Sequence, residues 1–231
     1  MVGACGGNEA PRRSYRLDLS AGAPSRASGG IAFAVGPLAP GRYVTTRFEP
    51  RLTFSIGDGW VMNREAADYL ELGRRDEPTP EPTRLRFIAL DRVFVLDSEL
   101  VYDEEATETL LARTRPAPAD FVDYLAAHAA LTVNPRPINI AGRTGTEVRV
   151  QFADVTNLPG TCAGGPGPCL TLLLTPKPFV NLFVERSAQA RFIVLDSPGG
   201  RLLIEDAAPD QASIAQLDEQ VDAMLATLQV G

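Results

Sequence analysis

Short runs in which apolar and polar residues alternate, cut apart by Gly and Pro, set the strongest limit on how this chain can fold. Leu52, Phe54 and Ile56 alternate with Thr53 and Ser55, and Thr146, Val148 and Val150 alternate with Glu147, Arg149 and Gln151. A period of two places every second side chain on one face, so each run reads as a half-buried strand. Gly57-Asp58-Gly59 ends the first run as a turn, with Trp60 directly after it, and Ser197-Pro198-Gly199-Gly200 supplies a hairpin turn between strands at 190–195 and 201–205. Further strands are expected at 43–48, 69–72, 85–96, 138–140, 170–174 and 180–184, with Gly142 to Gly145 turning the chain after Ile140. Turns this short join antiparallel neighbours.

Helical spacing appears in two places. Asp120 can cap a helix running to about residue 130, with Phe121, Tyr124, Leu125 and His128 on one side. At 210–228, Ile214, Leu217, Val221, Met224, Leu225 and Leu228 form one apolar stripe, while Gln216, Asp218, Glu219 and Asp222 face water. A third, short helix is expected at 103–113. The resulting class is α+β: an antiparallel sheet with helices packed on its faces. One domain is expected over 42–231. Residues 1–41 are rich in Gly, Ala, Pro, Ser and Arg, the composition of a flexible tether, with Ile31 to Val35 as its one apolar patch and candidate edge strand. Arg86-Phe87-Ile88-Ala89-Leu90-Asp91 is echoed by Arg191-Phe192-Ile193-Val194-Leu195-Asp196. Equivalent strands in two half-units would produce that echo, and so would coincidence among apolar β segments.

The three cysteines bear on location. Val2-Gly3-Ala4-Cys5 resembles the lipobox of bacterial lipoproteins, an aliphatic residue and two small ones ahead of the Cys that receives the lipid. A basic and then an apolar segment precede such boxes in that family, and here only Met1 and Val2 stand before it. The resemblance implies a chain held at the extracytoplasmic face of the membrane through a lipid on Cys5. A chain that genuinely starts at Met1 would instead be cytoplasmic. Cys162 and Cys169 flank Ala-Gly-Gly-Pro-Gly-Pro, a loop able to turn back and bring two thiols together. A disulfide there would add about 2.5 kcal/mol on the chain-entropy model and would persist outside the cytosol. The alternative is two free thiols in a surface loop.

Charge excludes some function classes. A net charge of −7 opposes nucleic-acid binding, which depends on clustered Lys and Arg, and opposes adsorption on anionic lipid by charge alone. No run approaches the roughly 20 apolar residues that span a bilayer. His128 is the only histidine, so neither a His-based metal cluster nor a second candidate triad base is available. No metal site, cofactor motif or catalytic residue is assigned. Asp103, Glu104, Glu105 and Glu108 form an acidic cluster that reads as a solvated helix face. Trp60 either lines a ligand site or plugs one end of the core. Phe179 and Phe183, with Leu172, Leu174 and Leu182, either form an apolar surface for a ligand or partner or lie inside the sheet.

The order of elements resembles the PsbP-like family, which includes mycobacterial LpqN-type lipoproteins. The residues that carry the resemblance are Leu52 to Trp60, the helix around Phe121 to His128, the hairpin Ile140-Ala141-Gly142-Arg143-Thr144-Gly145-Thr146-Glu147-Val148, and the closing strand and helix at 201–228. The resemblance implies an α/β/α sandwich and a non-enzymatic accessory or binding role. The expected function is therefore a lipid-anchored, extracytoplasmic, non-catalytic protein whose partner is another envelope protein. A carrier or sensor of a small apolar molecule is the alternative, and a hydrolase using His128 or the acidic cluster is the third reading.

Overall fold

The computed structural model describes residues 26–27, 30–75, 83–94, 112, 114–128, 131–152, 169–176, 179–185, 189–197 and 200–231. The strands are β1 (Arg26–Ala27), β2 (Gly30–Ala32), β3 (Gly36–Pro37), β4 (Gly41–Val44), β5 (Leu52–Ile56), β6 (Trp60–Glu65), β7 (Tyr69–Arg74), β8 (Arg84–Leu90), β9 (Arg92–Phe94) and β10 (Thr114–Pro116). They continue with β11 (Leu131–Ile140), β12 (Arg143–Phe152), β13 (Cys169–Pro176), β14 (Phe179–Glu185), β15 (Gln189–Ser197), β16 (Gly200–Ala208) and β17 (Gln229–Val230). The helices whose bounds lie among the described residues are α1 (Phe121–Ala126) and α2 (Gln211–Leu225).

A central sheet of eight antiparallel strands, in the order β11-β12-β15-β16-β8-β7-β6-β3, carries the fold. Its alternation sends two sets of side chains to two separate cores. Leu70, Leu72, Leu85, Phe87, Ile193, Leu195, Leu202 and Ile204 point to one face, where they meet Ile214, Leu217, Val221, Met224 and Leu225 of α2. The same core takes Tyr43, Leu52, Phe54 and Ile56 from a five-stranded sheet, β1-β2-β4-β5-β17. Ile88, Val148, Val150, Phe192, Leu203 and Ala207 point to the other face, against Phe121, Tyr124 and Leu125 of α1. A four-stranded sheet, β10-β9-β13-β14, contributes Val93 and Leu172 there.

The expected antiparallel α+β class is present, but the covering layers differ from an α/β/α sandwich. Among the described residues, each face carries one helix together with a sheet. Strands lie about 4.8 Å apart, so eight of them are roughly 35 Å wide, whereas a helix is only about 10 Å across. One helix per face therefore leaves most of each face to other strands. α1 is also shorter than the spacing suggested, ending at Ala126.

Several boundaries move for identifiable reasons. β11 begins at Leu131, well before Ile138, and passes through Pro135 and Pro137. Proline is tolerated because β11 is the edge strand among the described residues. β6, not expected from the sequence, pairs with β7 through a register shift between Met62 and Arg64 that breaks its alternation. The turn between β11 and β12 is Ala141-Gly142, both at positive φ, and Gly145 lies inside β12. Pairing also extends upstream of residue 42: β2 runs parallel to β4, β3 pairs with β6, and Phe33 and Leu38 enter the first core.

Candidate functional site

Trp60 takes the core role: its ring is 1% exposed and Arg74 lies over it at 5.0 Å. His128 is buried and packs edge-on against Tyr124 at 4.9 Å. Cys5, Cys162 and the Asp103, Glu104, Glu105 and Glu108 cluster lie outside the described residues. Cys169 opens β13, Phe179 opens β14 and Phe183 lies within β14; the side chains of these three are outside the described set.

The chemistry that is described gathers around Glu205-Asp206 near the end of β16. Consecutive strand residues point to opposite faces, so this dipeptide sends one carboxylate into each layer. The strands on either side answer with arginines. Arg191 of β15 stands opposite Asp206, and Arg86 of β8 stands opposite Glu205. These are the first residues of the two echoed hexapeptides. β8 and β15 flank the same strand, so each meets β16 with the same residue order.

On the α2 face, Arg191 is fully buried and Asp206 accepts from its Nε at 3.0 and 2.9 Å. α2 adds Asp222, which accepts from Arg191 Nη1 at 2.7 Å, and Asp218, 3.2 Å from Arg191 Nε. Asp218 also accepts from Arg149 of β12 at 2.6 Å. Glu147, buried on β12, accepts from Arg136 of β11 at 2.7 Å and lies 3.6 Å from Arg191. Burial alone would weaken the guanidinium's hold on its proton, but Asp206, Asp222 and Asp218 outweigh it and hold Arg191 firmly charged. Burial pushes the Asp206 carboxyl up to about 7; Arg191 opposes that shift and Asp218 adds to it.

On the α1 face, Arg86 donates to Glu71 at 2.7 Å and to Glu205 at 3.2 Å, and Arg84 donates to Glu205 at 3.3 Å. Tyr69 donates its hydroxyl to Glu71 in a short hydrogen bond, and Asn63 donates to the same carboxylate at 3.3 Å. Burial works to raise Glu71, yet Arg86, Tyr69 and Asn63 together bring it below the usual carboxylate value. Burial likewise lifts the Tyr69 hydroxyl well above its ordinary value. Farther along this face, Tyr124 donates to the Leu172 carbonyl at 2.9 Å, tying α1 to β13.

A cleft of about 610 Å³ opens at one end of the central sheet. The loop after β4 supplies Thr46, Phe48, Glu49 and Arg51; the end of β8 supplies Leu90 and Asp91; and Arg201 comes from β16. Glu65 fixes that loop by accepting from the Thr46 and Arg47 amides, at 2.5 and 2.8 Å. Arg201 is held by the Ala117 and Ala119 carbonyls at 3.1 and 3.0 Å.

No protein-family model and no curated protein matches the chain. Among solved structures, a crystal structure from Bacteroides thetaiotaomicron gives a TM-score of 0.34 at 9% identity over 78% of this chain, which spans 45% of that one. The solution structure of cyanobacterial PsbP (CyanoP) from Synechocystis gives 0.41 at 10% identity, over 84% of this chain and 94% of that one.

The two clusters act as ties. Each guanidinium is directed at carboxylates from neighbouring elements, and on the α2 face those carboxylates belong partly to the helix itself. The cleft differs: exposed Glu49, Arg51 and Asp91 give it a polar rim of both signs over the buried Phe48. Sequence inspection passed over Arg191, Asp206 and Glu205. The readable signal was a charged residue opening or closing an otherwise apolar strand, together with the echo.

Proposed function

We propose that the chain is a non-catalytic accessory or binding protein of PsbP-like architecture, held at the extracytoplasmic face of the membrane by a lipid on Cys5. The observation that carries this reading is the lipobox-like Val2-Gly3-Ala4-Cys5 followed by a stretch of tether composition. A thiol presented after small residues suits acylation, and a Gly- and Pro-rich segment gives the folded portion reach from the bilayer. A single acyl chain binds membranes only marginally, so a stable anchor of this kind carries more than one chain.

The fold supports the non-catalytic half of the reading. Its strongest buried ionisable groups, Arg191 with Asp206 and Arg86 with Glu71 and Glu205, are turned on one another between layers and away from the cleft rim. The cleft, with exposed charges of both signs, suits docking of a polar protein surface better than storage of an apolar molecule. The PsbP-like assignment draws on the Leu52 to Trp60 strand and turn, the Ala141-Gly142 hairpin, and a closing strand followed by a helix on the antiparallel sheet.

Metabolic labelling with a radioactive fatty acid tests the anchor. The gene is expressed with its native upstream DNA in the parent bacterium, beside a Cys5→Ser variant. Label in the first and none in the second is the expected result. An unlabelled native product, or label that survives Cys5→Ser, removes the anchor and the location with it.

A further inference from the structure

Arg191 is completely enclosed, and three of the carboxylates packed on it are nearly so: Asp206 at 0%, Glu147 at 1% and Asp218 at 14% exposure. The other charges facing this group sit at the rim. They are Asp222 from α2, Arg149 from β12 and Arg136 from β11, at 58%, 41% and 61% exposure. β8, on the far side of β16, places Leu85 opposite Asp206 and turns Arg84 and Arg86 to the other face. The interior of the cluster therefore holds more carboxylates than guanidiniums. Asp218 Oδ1 is buried and lies 3.2 Å from Arg191 Nε, where both Asp206 oxygens already stand at 3.0 and 2.9 Å, so three carboxylate oxygens crowd one N–H. A buried acceptor beside a second carboxyl is satisfied when that carboxyl carries a proton.

We propose that Asp206 holds a proton that it donates toward Asp218, and that this proton couples the seating of α2 on the central sheet to pH, the helix being held more tightly as the medium acidifies. The direction follows from linkage. Within the fold Asp206 titrates at about 7, raised first by burial. Detaching α2 exposes it to water and returns it to an ordinary carboxylate, so detachment releases a proton between about pH 4 and pH 7. The opening equilibrium of α2 thus rises by up to tenfold per pH unit, roughly, across that window. Above it the equilibrium levels off, because Asp206 is ionised whether α2 is seated or not.

Two measurements on the full chain test the device from pH 5 to pH 8. One follows the side-chain carboxyl carbon of Asp206 by NMR. The other follows hydrogen exchange at the Leu217 and Val221 amides, corrected for intrinsic rate, in the wild type, Asp206→Asn and Asp218→Asn. The expected result is an Asp206 resonance that titrates near neutrality. Protection of α2 in the wild type should fall by up to about tenfold per pH unit between pH 5 and pH 7. In Asp218→Asn, whose carboxamide replaces the Asp206 proton as donor, the slope should flatten. An Asp206 resonance that titrates in the ordinary carboxylate range overturns the proposal, as does an equal slope in wild type and variants. If Asp206→Asn does not fold, the wild-type resonance and Asp218→Asn decide alone.

Discussion

Ala141 and Gly142 join β11 to β12, and both hold positive φ, at 56° and 73°. Gly does so without strain, whereas for Ala the left-handed region costs about 1–2 kcal/mol. The two-residue loop between Ile140 and Arg143 is the type that favours Asn or Gly at both positions. Ala141→Asn should therefore raise the urea midpoint, with a gain of about 0.5–1 kcal/mol; an unchanged or lower midpoint would show that the Ala methyl has a packing role. Gly145 looks equally turn-like in sequence, yet it serves a strand. A Cβ there would stand 2.2 Å from the Val194 carbonyl oxygen and 2.6 Å from a Leu195 methyl, and backbone cannot yield that far. Gly145→Ala should cost about 1–3 kcal/mol by overpacking, measured on the same scale. A glycine's reason is invisible in one sequence, because a turn and a close approach demand the same missing atom. Arg191 was hidden differently: its strand reads as a plain apolar run, and the carboxylates that justify a buried guanidinium come from three other elements. Arg191→Met strands Asp206 and Glu147 without their enclosed counter-ion, and should lower stability by about 3–5 kcal/mol. Arg191→Lys should restore little, since a point charge cannot meet Asp206 and Asp222 in the same geometry.

At the scale of elements, the helices were the most legible parts. Asp120 accepts from the Asp123 amide, so the expected cap is formed, and Asp210 caps α2 in the same way by accepting from the Ala212 and Ser213 amides. α2 buries Ile214, Leu217, Val221, Met224 and Leu225, the stripe that its spacing announced. β11 was half legible, because Pro135 and Pro137 read as breakers when they mark an edge. Residues two apart on a strand direct their backbone groups to the same side. β12 pairs along all of β11, so the side that tolerates two missing N–H donors is the open one. The prolines thereby blunt a long edge that would otherwise recruit another strand. A Pro135→Thr, Pro137→Thr double variant restores both donors while keeping the edge polar. It should fold with the wild-type far-ultraviolet spectrum and self-associate as concentration rises, read by light scattering. A variant that stays monodisperse at high concentration would mean that something other than the prolines protects this edge.

At the scale of the molecule, strand order was the least legible property. β16 sits between β15, its hairpin partner, and β8, more than a hundred residues upstream in the chain. Nothing local in an apolar run specifies which distant run it will meet, whereas a hairpin announces itself through its turn. The charges do carry part of that choice: Glu205 meets Arg84 and Arg86 only if β8 lies on that side. Placing one ionic cluster in each layer also gives the whole protein two opposed pH dependences. Glu71 is held below its usual value on the α1 face, where Arg86, Tyr69, Asn63, Arg84 and Glu205 surround it. The stability it contributes is present above the usual carboxylate range and is lost as pH falls through its lowered pKa. Asp206 is raised on the other face, so its contribution is complete in acid and is lost as pH rises toward about 7. The melting temperature should accordingly peak at about pH 4, where the two windows meet, and decline on both sides. Glu71→Gln should flatten the acid limb alone, and Asp218→Asn the neutral limb alone. If each substitution altered both limbs equally, the two faces would be one electrostatic unit, and the assignment of a limb to each layer would fail.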